Sequence, residues 1–107
     1  MQALIAAGNY VSNIAGGATK TVTTAGTRVQ LSTTKFLCEG VCIQALETNT
    51  GYVAVGGPDV VATASSARVC FVTLAPGASA IIPIIDLKQV YIDATTNSNI
   101  VTYGPLR

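Results

Sequence analysis

Few side chains in this 107-residue chain could do chemistry. There is no histidine, and the carboxylates are Glu39, Glu47, Asp59, Asp86 and Asp93. Without histidine there is no Ser-His-Asp or Cys-His nucleophile, and the commonest transition-metal ligand is missing. Cys38, Cys42 and Cys70 cannot complete a zinc site of four cysteines, and a site of three cysteines and one histidine has no histidine to draw on. A glycosidase needs two carboxylates roughly 5–10 Å apart across a cleft, and the spacing of these five singles out no pair. Gly56-Gly57 precede a proline-containing loop and not a helix, so they do not make a phosphate cradle. Tyr52, Tyr91 and Tyr103 could project from sheet faces as a platform for sugars or bases, or serve as core and interface residues. The expectation is a protein without enzymatic activity, cofactor or metal.

Composition narrows the class. Half of the residues are hydrophobic and only 10% are charged, against roughly 25% in ordinary soluble domains. Either a partner or further copies of the chain cover much of the surface, or the surface is rich in Ser and Thr. Lys20, Arg28, Lys35, Arg68, Lys88 and Arg107 are scattered, for a net charge of +1. Nucleic-acid binding relies on clustered cations that neutralise phosphates, so none is expected. The apolar run at 3–7 is far too short to span a bilayer, and a secretory signal needs a basic start and a longer apolar core. The expectation is a protein made in the cytoplasm, with no membrane partner. In an extended strand Cys38 and Cys42 would lie roughly 13 Å apart, beyond disulfide reach, so reduced thiols are expected.

The elements that must position these groups read as strands throughout. Residues 41–45 and 52–55 alternate, with Val41, Ile43 and Ala45 on one face and Val53 and Val55 on one face. The turn formers Glu47 to Gly51 between them predict a β-hairpin, since Asn and Gly tolerate positive φ. Further short strands are predicted over 20–24, 28–31, 69–74, 79–84, 87–94 and 99–103. In these, Val22, Val29, Leu31, Val90, Ile92 and Ala94 point inward, Cys70, Val72 and Leu74 share one face, and Tyr91 and Asp93 point outward. Ala75-Pro76-Gly77-Ala78 suits a type II turn, Pro83 argues for an edge strand, and Gly104-Pro105 should end the last strand. About eight strands at this spacing predict an all-β fold, a single antiparallel β-sandwich or jelly-roll-like domain over 20–107. Residues 1–19 carry the scattered apolar anchors Leu4, Ile5, Tyr10, Val11 and Ile14 and read as an N-terminal extended arm. Residues 56–67 form the longest irregular segment, a candidate contact loop.

From Arg28 onward, about three quarters of the chain, the order of signals resembles small all-β structural proteins of tailed bacteriophages. The resemblance is carried by Arg28-Val29-Gln30-Leu31, Val41-Cys42-Ile43-Gln44-Ala45, Asn49-Thr50-Gly51 and Val53-Ala54-Val55-Gly56. It continues through Leu74-Ala75-Pro76-Gly77-Ala78-Ser79 and Asp86-Leu87-Lys88-Gln89-Val90-Tyr91-Ile92-Asp93. Residues 1–19 and the three cysteines lie outside that pattern. Several such proteins decorate or cement the capsid between capsomers. The resemblance therefore implies a virion component on the capsid surface, a dimer or trimer whose partners are the major capsid protein or other virion proteins. Leu4, Ile5, Tyr10, Val11, Ile14, Asn49, Thr50, Pro58, Asp59 and Val60 are the candidate partner contacts. A tail, neck or baseplate component of the same fold is one alternative; a carbohydrate-binding β-sandwich module using its tyrosines is another.

Overall fold

A computed structural model describes residues 17–62 and 70–106. It is all-β. The strands in chain order are β1 (Ala18–Val22), β2 (Val29–Gln30), β3 (Gly40–Ala45), β4 (Val53–Gly56), β5 (Val72–Leu74), β6 (Ser79–Ile82), β7 (Tyr91–Ala94) and β8 (Asn99–Leu106). A 3₁₀ turn, Leu87–Gln89, precedes β7. Two four-stranded sheets face each other, sheet one in the order β1-β8-β3-β6 and sheet two in the order β2-β7-β4-β5. Every pairing is antiparallel.

The order has a simple logic. β1 pairs with β8, β2 with β7, β3 with β6 and β4 with β5. The chain is thus one long antiparallel ribbon, rolled so that β8 meets β3 and β7 meets β4. That is the eight-stranded jelly roll.

Alternation explains which side chains fill the space between the sheets. In β3 the residues Gly40 to Ala45 run buried, buried, exposed, buried, exposed, buried. Val41, Ile43 and Ala45 meet Val53, Val55, Leu74, Ile92 and Ala94 from the opposite sheet, with Val22, Leu31, Val90 and Val101 closing the core. Burying a Val, Leu or Ile side chain contributes about 1.5–3 kcal/mol each, so this layer is the main source of stability.

Three sequence expectations change. The predicted hairpin of 41–45 with 52–55 does not form: β3 and β4 lie in different sheets, and residues 46–52 arch between them. The turn formers do reverse the chain, but their hydrogen bonds go elsewhere. Asn49 pairs its side-chain amide with the main chain of Ile100, accepting from the N–H at 2.9 Å and donating to the carbonyl at 2.8 Å. Leu46 N–H also reaches Ile100 O, at 3.1 Å, and Tyr52 N–H reaches Thr95 Oγ1, at 3.0 Å. The arch is therefore sewn to β8 in one sheet and to the end of β7 in the other. Neither Asn49 nor Gly51 has positive φ. Gly51 is required because a Cβ would fall on the Thr95 and Thr96 hydroxyls.

The second change concerns Gly104-Pro105, which does not end β8: the strand runs on to Leu106. The described β1–β8 ladder stops at Tyr103, so among the described residues no β1 carbonyl faces the missing N–H of Pro105. The third is at 87–89, a 3₁₀ turn in place of the start of a strand; Asp86 caps it by accepting Lys88 N–H. The expected type II turn is present, with Gly77 at φ 84° and Ala78 N–H bonded to Ala75 O at 2.8 Å. Pro83 sits just past the end of β6, which is an edge strand as expected.

Candidate partner-binding surface

The two outer faces of the sandwich are finished differently. On sheet two, residues 57–62 fold back over β4 and β7. A turn closed by Val60 N–H to Gly57 O brings Val60 and Ala62 onto Ala54, and the half-buried Cys70 and Tyr91 pack around them; Cys70, which precedes β5, thus does not share the core face of Val72 and Leu74 as expected. Asp93 points outward from β7 as its alternation requires, yet it is only 1% exposed. Its carboxylate accepts Ala62 N–H on one oxygen, at 3.0 Å, and on the other Gly26 N–H at 3.0 Å and its neighbour Ala94 N–H at 2.8 Å. Arg28 adds a bond from Nη1 to Val60 O at 3.2 Å. The chain roofs this face itself, with a buried carboxylate pinning two loops.

Sheet one has no such roof among the described residues. Its register places the start of β3 and the ends of β6 and β8 at one end of the sheet, since Gly40 faces Leu106 and Val41 faces Ile82. The β3–β6 pair continues past that end, with Cys38 N–H on Ile85 O and a bridge from Leu37 to Asp86. Leu37, Ile81 and Ile85 are 59%, 64% and 68% exposed there. Cys42 is also exposed and Leu106 half-buried. Ile81 and Leu106 come within contact distance of the open side of Gly40 from either flank, which joins them into one apolar area. A shallow groove beside it runs along β8, between β1 and β3, with Thr102, Gly104 and Leu106 along its floor.

The sequence-predicted contacts fall in several places. Leu4, Ile5, Tyr10, Val11 and Ile14 lie outside the described residues. Pro58 and Asp59 are exposed at the tip of the roof turn. Val60 is fully buried beneath that turn, so in this chain it is a packing residue and not a surface contact. Asn49 has its amide committed to Ile100, whereas Thr50 is exposed with its hydroxyl 2.9 Å from that of Thr96. Of the described positions, Asn49 and Thr50 lie on the arch between β3 and β4, and Pro58 and Asp59 on the turn over sheet two. Cys42, Ile81 and Leu106, which lie together beside Gly40, and Leu37 and Ile85, which stand exposed just past the same end of the β3–β6 pair, escaped notice in the sequence. The available signal was the uncharged stretch around the edge-strand Pro83.

Tyr52, Tyr91 and Tyr103 lie in three different settings. Tyr103 packs against the core, Tyr91 against the roof, and Tyr52 stands exposed just before β4. A polar groove does lie beside Tyr91, formed with Gln30, Pro58, Asp86, Lys88 and Gln89. Its polar groups are partly spoken for. Gln30 donates to Lys88 O at 2.9 Å, and Asp86 Oδ1 accepts the N–H groups of Phe36 and Lys88 at 3.0 Å each. Those two backbone donors, with Lys35 and Lys88 nearby, hold the Asp86 carboxyl below its ordinary range. The cysteine thiols are free. Cys38 is buried and donates to Ile84 O at 3.3 Å, and Cys70 lies 3.3 Å from the Thr73 hydroxyl.

The fold and this surface define a small jelly-roll module with one face closed by its own chain and one end left apolar. Comparison with known protein families, with curated proteins and with solved structures finds no match.

Proposed function

We propose that this is a non-enzymatic virion structural protein, one that decorates or cements a phage capsid as a homo-oligomer. The observation that carries the reading is the apolar end of sheet one, where Leu37, Ile81 and Ile85 are each more than half exposed on a chain with only 10% charged residues. Soluble monomers rarely leave a contiguous apolar area uncovered, and such areas mark protein contacts. Covering three side chains of this size contributes up to several kcal/mol per copy, at about 25 cal/mol per Å². In a shell that energy exists only in the assembled state, so bound copies oppose disassembly by mass action. The jelly roll is a recurrent capsid architecture, which adds an analogy of fold and no more.

The test is binding to capsids prepared without the protein. Wild-type protein is expected to co-sediment at a fixed ratio and to raise the capsid melting temperature. The Leu37→Lys/Ile85→Lys double variant should remain folded and lose most of that occupancy. Binding to isolated tails but not to capsids moves the protein to the tail or neck, and failure to bind either overturns the virion reading.

A further inference from the structure

The four sheet edges are not equally protected. β2 and β5 contribute edges of only two and three residues. β1 is longer, but its Lys20 pairs with the buried, inward-facing Val101, so an inward-directed charge guards that edge. β6 has neither device. No charged side chain occurs anywhere from residue 69 to residue 85.

The orientation of the β6 main chain follows from its ladder. Ala45 N–H donates to Ala78 O at 2.9 Å, and the register continues Ile43 to Ala80 and Val41 to Ile82. In an antiparallel pair, alternate residues direct both their N–H and C=O at the neighbour. Ala80 and Ile82 therefore face β3, and the N–H and C=O of Ser79 and Ile81 point away from it. Among the described residues nothing pairs with β6 on that side. The next outward position is Pro83, which has no N–H to leave unmet.

We propose that β6 is a self-pairing edge, which joins two copies of this chain about a two-fold axis at Ala80 and extends sheet one from four strands to eight. In this pairing Ser79 of each copy lies opposite Ile81 of the other, and all four outward N–H and C=O groups on each strand are satisfied. Ala80 meets its own equivalent across the axis, a small side chain with room to do so. The stretch is uncharged, so lying against itself brings no like charges together, and a two-fold contact needs a patch complementary to itself. Pro83 ends the pairing on either side. The inference rests on the homo-oligomer part of the reading above and not on its viral part.

Light scattering on the full-length protein across a range of concentrations tests it. The wild type should weigh twice the 10.9 kDa chain. Ile81→Lys and Ser79→Lys, both at exposed positions, should keep the wild-type circular dichroism and weaken the dimer at least tenfold. A monomeric or trimeric wild type overturns the proposal, as does a dimer indifferent to both substitutions. The register has its own test. Facing residues in such a non-hydrogen-bonded pair have Cα atoms about 4.5 Å apart, within disulfide range. With the exposed Cys42 replaced by serine, Ala80→Cys should oxidise to a covalent dimer bridged at position 80. A dimer that does not bridge there overturns this pairing. Capsid binding by a protein that is monomeric in these assays would defeat the edge and leave the virion reading standing.

Discussion

Sheet one and sheet two are made of the same Val, Ile, Ala and Thr, yet their outer faces are finished by different means. Sheet two has short strands and a face that its own chain closes, through Ala54, Val60 and Ala62 and the Asp93 carboxylate beneath them. Sheet one has the longer strands, an apolar end and an edge with outward main-chain groups. An apolar residue covered within the chain adds to the stability of the monomer. One left exposed adds to association, because its transfer from water is deferred until a partner arrives. Substitutions on sheet two should therefore be read in unfolding experiments, and substitutions at the open end of sheet one in mass and binding.

The largest effect is expected at Asp93. Asp93→Ala leaves the buried Ala62 N–H and the part-buried Gly26 N–H without their acceptor and should cost about 3 kcal/mol in urea unfolding. Asp93→Asn keeps one acceptor and should cost about half as much. A loss under about 1 kcal/mol would mean that the roof is held without the carboxylate, and the contrast between the sheets would weaken. Gly51→Ala should follow at about 2 kcal/mol, because its new methyl must displace the Thr95 or Thr96 side chain where the arch crosses between sheets. Gly57→Ala is the control. Its Cβ would lie 3.7 Å from an Asp59 oxygen, an ordinary contact, so the change should stay within about 0.5 kcal/mol.

Asn49→Ala removes two bonds to Ile100 and should cost about 1–2 kcal/mol, shared by both sheets because the arch ties them together. The smallest effect is a pH dependence from Asp86. Backbone N–H groups from Phe36 and Lys88 favour its ionised form, so its pKa in the folded chain lies below the ordinary 3.8. The stabilisation is fully present above that ordinary value and is lost as pH falls through the lower, folded one. Thermal melts of wild type and Asp86→Asn should therefore differ most near neutral pH and converge in acid. A gap that stays constant with pH would show that ionisation of Asp86 contributes nothing.

How much of this was legible depends on the distance over which each feature is decided. The inward set Val41, Ile43 and Ala45, and the type II turn at Pro76-Gly77, were readable because a strand's pleat and a turn's φ angles are set by a few adjacent residues. The edge position of β6 was readable for a similar reason, since Pro83 lacks a donor wherever it sits. The contact residues were not. Val60 looks like any apolar loop residue until the turn at Gly57 lays it on Ala54, and Leu37 comes to the same end of the sheet as Ile81 and Ile85 only through the β3–β6 register and the bridge to Asp86.

By itself, then, the sequence determined an all-β chain of short strands, the face each strand buries, and the shortage of charge that leaves apolar groups in search of cover. Only the tertiary structure decided which strands are neighbours. Turn residues at 47–51 reverse the chain equally well in a hairpin or in an arch. The choice between them was made by Ile100 and Thr95, more than forty positions away, which accept the arch's hydrogen bonds. Asp93 shows the same division: the pleat sends it outward, and only a roof assembled from Gly26 and Ala62 makes that position an interior one. Periodicity is a property of the local backbone, whereas coverage belongs to pairs of residues that meet only once the ribbon has rolled.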